Sequence, residues 1–507
     1  MSYRIDTSRH VCTVACNHMV LAADRLFRGL SPSNNAVSAD ASPWSVEAPR
    51  AQRILLKGGT IVSMDRQVGD LARGDVLIDG EIIAAIGPDI TADDAVVIDC
   101  ADMIVLPGFC DPHIHSWEGA LGRFMPNNMS TVDEDMGRPV KSYDQTRSYL
   151  SVMHKRLAPL YRPVDSYIGT LVTLLAALNG GITTVGDNAH NSRSAEHSDA
   201  SIAALFDSGV RGVHAYGRPL HGEWDMQYPN DAYRLKQTYF SSDDQLCTMR
   251  LYTLGRYEVD ELRAVSKVRK DLDMWLTFDS GMETKPVEEL YADGTFIGKE
   301  TLNHGMFVPL EKRHVLADNG LQVNVCPRIE SQFRFGNIPY QDWLDVGIKP
   351  GISNDNPATY AISMFQEMRS LYTFQRAKAH RDAIKQVEMP ASLVTQRDML
   401  EAATIRGAEN LALGHKTGSL TPGKQADVIL INTDNPELFP KNNVLATVVQ
   451  GADIAHVDTV FVAGRIAKWR GQLVGIDFSR IRKELEKSQR HIYEATNWPH
   501  EITEFGD

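Results

Sequence analysis

Cysteine is scarce in this chain, with six among 507 residues: Cys12, Cys16, Cys100, Cys110, Cys247 and Cys326. Cys12 and Cys16 stand four apart, but no second pair follows. The spacing therefore matches neither a zinc finger nor a disulfide framework, and a reduced, cytoplasmic protein is expected. Long apolar runs are absent too. None approaches the ~20 residues of a membrane span. The helical pattern over Val20–Phe27 lacks the charged start and clean apolar core of a signal peptide. Positive charge is in deficit, with 52 Lys and Arg against 65 Asp and Glu and a net charge of −13. That balance argues against nucleic acid or an anionic membrane as the main partner. What the chain does have is apolar residues, 43% of the total. They suffice for a large core in two structural units.

Residues 1–50 read as an N-terminal extension whose Ser31–Ser45 stretch is a linker or mobile arm. Residues 51–105 alternate apolar and polar positions between turn signals, as in Ile54–Val62, Asp75–Ile86 and Ala95–Asp99. They predict short antiparallel strands, with a tight hairpin at Asp79-Gly80. The same texture returns over 414–475, in Gly418–Ile431, Thr447–Val449 and Thr459–Arg465. One β-sandwich built from both chain ends accounts for the two segments. Between them, 106–413 alternates strand candidates (104–110, 182–187, 210–216, 249–254, 274–279, 301–304, 321–326 and 348–354) with helical stretches such as Asp199–Asp207. Eight strands with intervening helices predict an α/β, (β/α)8 TIM-like barrel, with functional groups at the strands' C-terminal ends. Residues 476–507 read as a polar helix and tail.

The segment Pro107-Gly-Phe-Cys-Asp-Pro-His-Ile-His115 is the most informative in the chain. On a strand, positions i and i+2 share a side. His113 and His115 can therefore hold one metal ion at a barrel mouth, and imidazole suits Zn²⁺ and its first-row neighbours. With Gly181-Ile-Thr-Thr-Val185, Asn303-His-Gly305, Cys326-Pro327, Gly351-Ile-Ser-Asn-Asp355, Ala403–Leu411 and Gly418–Asp427, the chain resembles the amidohydrolase superfamily over about residues 52–475. Within it the similarity is greatest to cytosine- and guanine-type deaminases, triazine (chloro)hydrolases and methylthioadenosine/adenosylhomocysteine deaminases. Asp187-Asn-Ala-His-Asn191, running on through Glu196-His197 to Gly209-Val-Arg211, resembles a chlorohydrolase-like branch.

The resemblance implies metal ligation by His113 and His115, a ligand and proton carrier in Asp355, and a histidine facing water or substrate in His304. A bound divalent ion lowers the pKa of its water from ~16 to about 7 and so supplies hydroxide at neutral pH. No lysine ends the fourth strand candidate, Thr248–Gly255, so a bridging carbamylated lysine is not expected and one ion is. The fifth strand departs from the family, which places a metal histidine there, often with a glutamate three residues on. This chain reads Trp275-Leu-Thr-Phe-Asp-Ser-Gly-Met-Glu-Thr284. Asp279 or Ser280 takes the histidine's place, depending on register. With Asp279 the site keeps four ligands and hardens, which leaves Zn²⁺ as the first expectation and admits Fe²⁺ or Mn²⁺. Glu283 matches the family's proton-shuttling glutamate only in the Ser280 register. Loops after barrel strands form the mouth, so Trp117, Arg123, Asn188, His190, His221 and Arg328 are candidate substrate-binding residues, with Glu223 and Glu330 beside them. His221 is also a candidate substitute ligand.

Three functions fit. The first is hydrolysis, above all deamination, of a carbon–nitrogen or related bond in a small cyclic nitrogenous compound. The second is lyase, isomerase or hydration chemistry on an altered metal site. The third is a non-catalytic relative. A homo-oligomer is expected.

Overall fold

Both strand-rich ends of the chain meet in one nine-stranded mixed sheet. The computed structural model describes residues 48–125, 148–225, 227–254, 258–279, 285–333, 338–387 and 393–496. The expected extension over 1–50 thus falls almost wholly outside the described residues, as do Ser280 and Glu283. In the mixed sheet Met103–Pro107 is the link: it runs antiparallel to Val428–Asn432 and parallel to Arg53–Ile61. Arg53–Ile61 pairs on with Leu71–Asp79, which forms a hairpin with Ile82–Gly87 around Gly80. A separate apolar core of Ile54, Leu56, Val76, Ile78, Val428, Leu430 and Phe461 sits under this sheet.

The second sheet is the barrel. Its strands are β1 (Phe109–Ile114), β2 (Ile182–Ala189), β3 (Arg211–Tyr216), β4 (Cys247–Leu254), β5 (Leu276–Asp279), β6 (Glu300–Asn303), β7 (Gln322–Val325) and β8 (Gly351–Ile352). All neighbours pair in parallel. A bridge between Ile114 and Asp355 joins β1 to the end of β8 and closes the ring. Strands covered on both faces need no polar alternation, and every residue of β2, β3, β5 and β6 is buried. Helices pack outside, among them α1 (Pro163–Asn179), α2 (Ala195–Ser208), α3 (Met364–Ile384) and α4 (Phe478–Thr496).

Several expectations need correction. The candidate 104–110 spans two strands, because Met103–Pro107 belongs to the mixed sheet and β1 starts at Phe109. The chain passes between them at Gly108, where a Cβ would stand 2.2 Å from the Thr183 hydroxyl. Val96–Asp99 pairs parallel, not antiparallel, with Arg53–Ile61. Thr447–Gly451 is helical, and Val448 and Val449 enter the main core from a helical turn. Three apolar or β-branched residues in a row carry no period, so sequence alone could not separate the two.

Candidate metal centre and active site

The barrel's closing seam positions three of the expected groups through the main chain. His113 and His115 share a side at the end of β1. Asp355 donates its N–H to the His113 carbonyl (3.1 Å), and His115 donates its N–H to the Asp355 carbonyl (2.7 Å). Asp355 has φ +66°, and His304, just past β6, has φ +73°. Left-handed backbone is costly for residues with a Cβ and gathers at functional sites. A buried buttress fixes the seam from behind. Asp111 accepts from the Ser353 hydroxyl and the Asn354 amide (2.8 Å), and Arg328 donates to Asn354 Oδ1 (2.8 Å) while paired with Glu367.

The side chains of the two histidines each face a carboxylate. Asp355 Oδ1 lies 3.2 Å from His115 Nε2 and 3.5 Å from His113 Nε2, and Asp279 Oδ2 lies 3.6 Å from His115 Nε2. A tetrahedral ion with bonds of about 2.0–2.2 Å needs ligand-to-ligand edges of about 3.3–3.6 Å, and these three spacings are of that size. His113 Nε2 is buried with no hydrogen-bond partner among the described residues. Asn188 occupies the other nitrogen of each ring: its side-chain amide is 2.6 Å from His113 Nδ1 and its carbonyl 3.4 Å from His115 Nδ1. Histidines that bind metal usually donate from their second nitrogen to an oxygen, as His115 Nδ1 can to the Asn188 carbonyl. Two overlapping clusters of metal-capable groups result. One is His113, His115 and Asp279; the other is His113, His304, Cys326 and Asp355.

The local field favours a cation. Burial alone would pull the His115 pKa down, yet the hydrogen bond and charge of Asp355, with Asp279 and Glu118, hold it up at about 9. Burial would likewise push Asp355 up, but the adjoining His113 and His115 imidazoles and the charge of His304 keep it well below the usual carboxylate range. His304 follows the same pattern. Burial lowers it, while Glu330, 3.1 Å from Nδ1, and the charge of Asp355 raise it to about 9. His304 Nε2 faces Asp355 Oδ2 at 3.7 Å.

Asp279 is held differently, by side chains. Its Oδ1 accepts from Asn303 (2.7 Å) and Asn188 (3.4 Å), and its Oδ2 accepts from the Tyr252 hydroxyl (2.7 Å). Asn303 belongs to a buried amide chain: Asn410 donates to Asn324 Oδ1 (2.6 Å) and Asn324 donates to Asn303 Oδ1 (2.9 Å).

The other expected residues scatter. His190 is buried, edge-on to His115 at 4.4 Å between ring centroids and stacked on Tyr252 at 5.3 Å. Trp117 is buried against His154, Tyr161 and His190. Arg328 spends its donors on Glu367, Gln366, Asn354 and Ala361. His221 is half-buried and outside both metal-capable clusters, with its carbonyl bound to Arg193. Arg123 and Glu223 are exposed. Sequence reading missed Tyr252, which lies near the end of a strand read only for the lysine it lacks, and Asn303, which adjoins His304 in its motif. It also missed Glu118, a buried carboxyl beside His115. Burial, only partly offset by His115 and Tyr149, pushes Glu118 up to about 8.

Fold and site together define a barrel enzyme of the metal-dependent hydrolase class. The model of the amidohydrolase family matches residues 104–467, and the chain belongs to that family. It is 23% identical over 459 residues to the 5-methylthioadenosine/S-adenosylhomocysteine deaminase of Thermoanaerobacter pseudethanolicus, covering 87% of this chain and 99% of that protein. It is 25% identical over 432 residues to the Thermococcus kodakarensis enzyme of the same name, covering 82% and 93%. Among solved structures, an adenosine deaminase from Xanthomonas campestris with bound zinc superposes with a TM-score of 0.72 at 20% identity, covering 88% of this chain and all of that one. The zinc complex of an atrazine chlorohydrolase from Arthrobacter aurescens does so with 0.70 at 22%, covering 86% and 100%. No helix among the described residues is long and apolar enough to cross a membrane.

Proposed function

We propose that the protein hydrolyses a carbon–nitrogen bond of a small cyclic nitrogenous compound, with deamination as the leading reaction, through one divalent ion held by His113, His115, Asp279 and Asp355. The observation that carries the proposal is three nitrogen–oxygen spacings of 3.2–3.6 Å, which link the two histidines to Asp355 and His115 to Asp279 and match the ligand-to-ligand distances around a tetrahedral ion. Zn²⁺ is the first choice, and the second carboxylate leaves room for Fe²⁺ or Mn²⁺.

When bound, the ion supplies a water whose pKa falls to about 7. The chain's own groups do the rest. Asp355 accepts that water's proton on Oδ2, the oxygen turned toward His304, and returns it to the leaving nitrogen. His304, kept protonated by Glu330, donates a hydrogen bond where negative charge develops on the substrate. Asn188 fixes both ligand imidazoles through their Nδ1 atoms. Trp117 and His190 would wall the substrate side beside His115. The finer expectations belong to the same proposal: a cytoplasmic homo-oligomer with no nucleic-acid or membrane partner. The net charge of −13 and the free, buried Cys100, Cys110, Cys247 and Cys326 support its cytoplasmic and partner-free part.

The test is metal analysis followed by ammonia release from a panel of aminopurines, aminopyrimidines and aminotriazines. One ion per chain with ammonia release supports the proposal. Turnover without ammonia would favour lyase or hydration chemistry. A protein that takes up neither Zn, Fe nor Mn would overturn it.

A further inference from the structure

The exchange of a neutral imidazole for an anionic carboxylate on β5 raises two problems for a metal site. Carboxylate is shorter than imidazole and rotates about its own axis, so its oxygens need aiming. It also brings a second negative charge beside Asp355, which weakens the ion's pull on its water. The structure holds an answer to both in one residue. Tyr252, at the C-terminal end of β4, is 1% exposed, and its hydroxyl donates to Asp279 Oδ2 at 2.7 Å. That oxygen is the one facing His115 Nε2. β4 and β5 pair in parallel with Tyr252 opposite Thr277, so the phenol reaches forward two residues to the strand end. Its ring is locked, stacked on His190 on one side, while its main-chain carbonyl accepts from the Tyr228 hydroxyl. Asn303 takes Oδ1 from the opposite neighbour, β6. The carboxylate is thus gripped from both adjacent strands.

We infer that Tyr252 is a positioning residue for the metal centre: its hydroxyl aims Asp279 Oδ2 at the ion and draws off part of its charge, which lets an aspartate stand where the family uses histidine. The inference rests on the proposed function above, in that Asp279 is a ligand. It adds a residue outside the ligand set and a reason why the substitution on β5 is tolerated. Hydrogen bonding to the ionised form stabilises a carboxylate in place, and partners of metal ligands commonly govern affinity by about 10–100-fold.

The test uses full-length protein stripped of metal and titrated with Zn²⁺ against a chromophoric chelator, with Co²⁺ as spectroscopic probe. Tyr252→Phe keeps the ring and its stacking and deletes one hydroxyl. Zn²⁺ affinity should fall about 10–100-fold with unchanged circular dichroism, and the visible band of the Co²⁺ protein should shift. Asp279→His supplies a ligand that needs no hydroxyl to aim it. In that background Tyr252→Phe should cost little, a non-additivity that a merely structural tyrosine would not show. Wild-type Zn²⁺ affinity and an unchanged Co²⁺ spectrum in Tyr252→Phe would overturn the inference. If Asp279→Ala alone abolished binding in the same series, the proposed metal centre would still stand. If the unaltered protein bound neither ion, the proposed function itself would fail first.

Discussion

The two sides of the proposed metal centre are built by different means. On the β1–β8 side, His113, His115 and Asp355 are fixed by main-chain hydrogen bonds that also close the barrel, with Asp111, Ser353 and Asn354 behind them. On the β5 side, Asp279 is fixed by three side-chain donors, Tyr252, Asn303 and Asn188, none of which the barrel requires for closure. On the first side the backbone that carries the ligands is part of the barrel's closure. The second can trade its ligand provided the donors change with it. A departure from a family's metal motif is therefore not by itself loss of the site; the partners of the new residue decide.

The largest expected effect falls on the main-chain side. Replacing both His113 and His115 with Ala should abolish metal uptake, read by elemental analysis of purified protein. Uptake equal to wild type would show that the ion, if any, sits elsewhere. Asp355→Asn keeps an oxygen for the metal but removes the proton acceptor. General acid–base help is worth ~10²–10⁴-fold, so turnover should fall by at least about a hundredfold with the circular dichroism spectrum retained. Near-normal turnover would route the proton through another group.

These residues were legible because their geometry is local in sequence. His-x-His on a strand declares a shared side, and Gly351-Ile-Ser-Asn-Asp355 places a carboxylate at a strand end. The eight barrel strands were legible for the same reason, as short apolar runs spaced by helical stretches, though the first was smeared across the boundary at Gly108. The β5 side was not legible. Asp279 could be named only as one of two registers, since nothing nearby in sequence says which way a four-residue strand ends. Its holders come from β2, β4 and β6, and only folding brings them together. Arg328 shows the opposite error. It follows β7, as substrate-binding residues at a barrel mouth do, yet it lies on the short helix Pro327–Gln332 and turns its donors inward to Glu367 and Asn354.

Smaller effects sharpen the comparison. Glu330→Gln removes the carboxylate that, after burial's opposing pull, most raises His304 toward about 9. The His304 pKa should therefore drop, and the alkaline limb of the pH–rate profile should move to lower pH. An unmoved limb would assign that limb to another group. The smallest effect is on metal affinity with pH. His115 is held protonated up to about 9 chiefly by Asp355, against the pull of burial. An incoming ion must displace that proton, so apparent affinity should rise with pH and level off above about 9. Competition titrations at several pH values would reveal a flat response if His115 were not a ligand.

The most direct measurement is a crystal structure with anomalous scattering collected above and below the metal edges. One ion per chain is expected, bound by Nε2 of His113 and His115 and by a carboxylate oxygen each of Asp279 and Asp355, with the Tyr252 hydroxyl still on Asp279. An ion held by His113, Cys326 and Asp355 with Asp279 turned away, or no anomalous peak after soaking in Zn²⁺, would contradict the account.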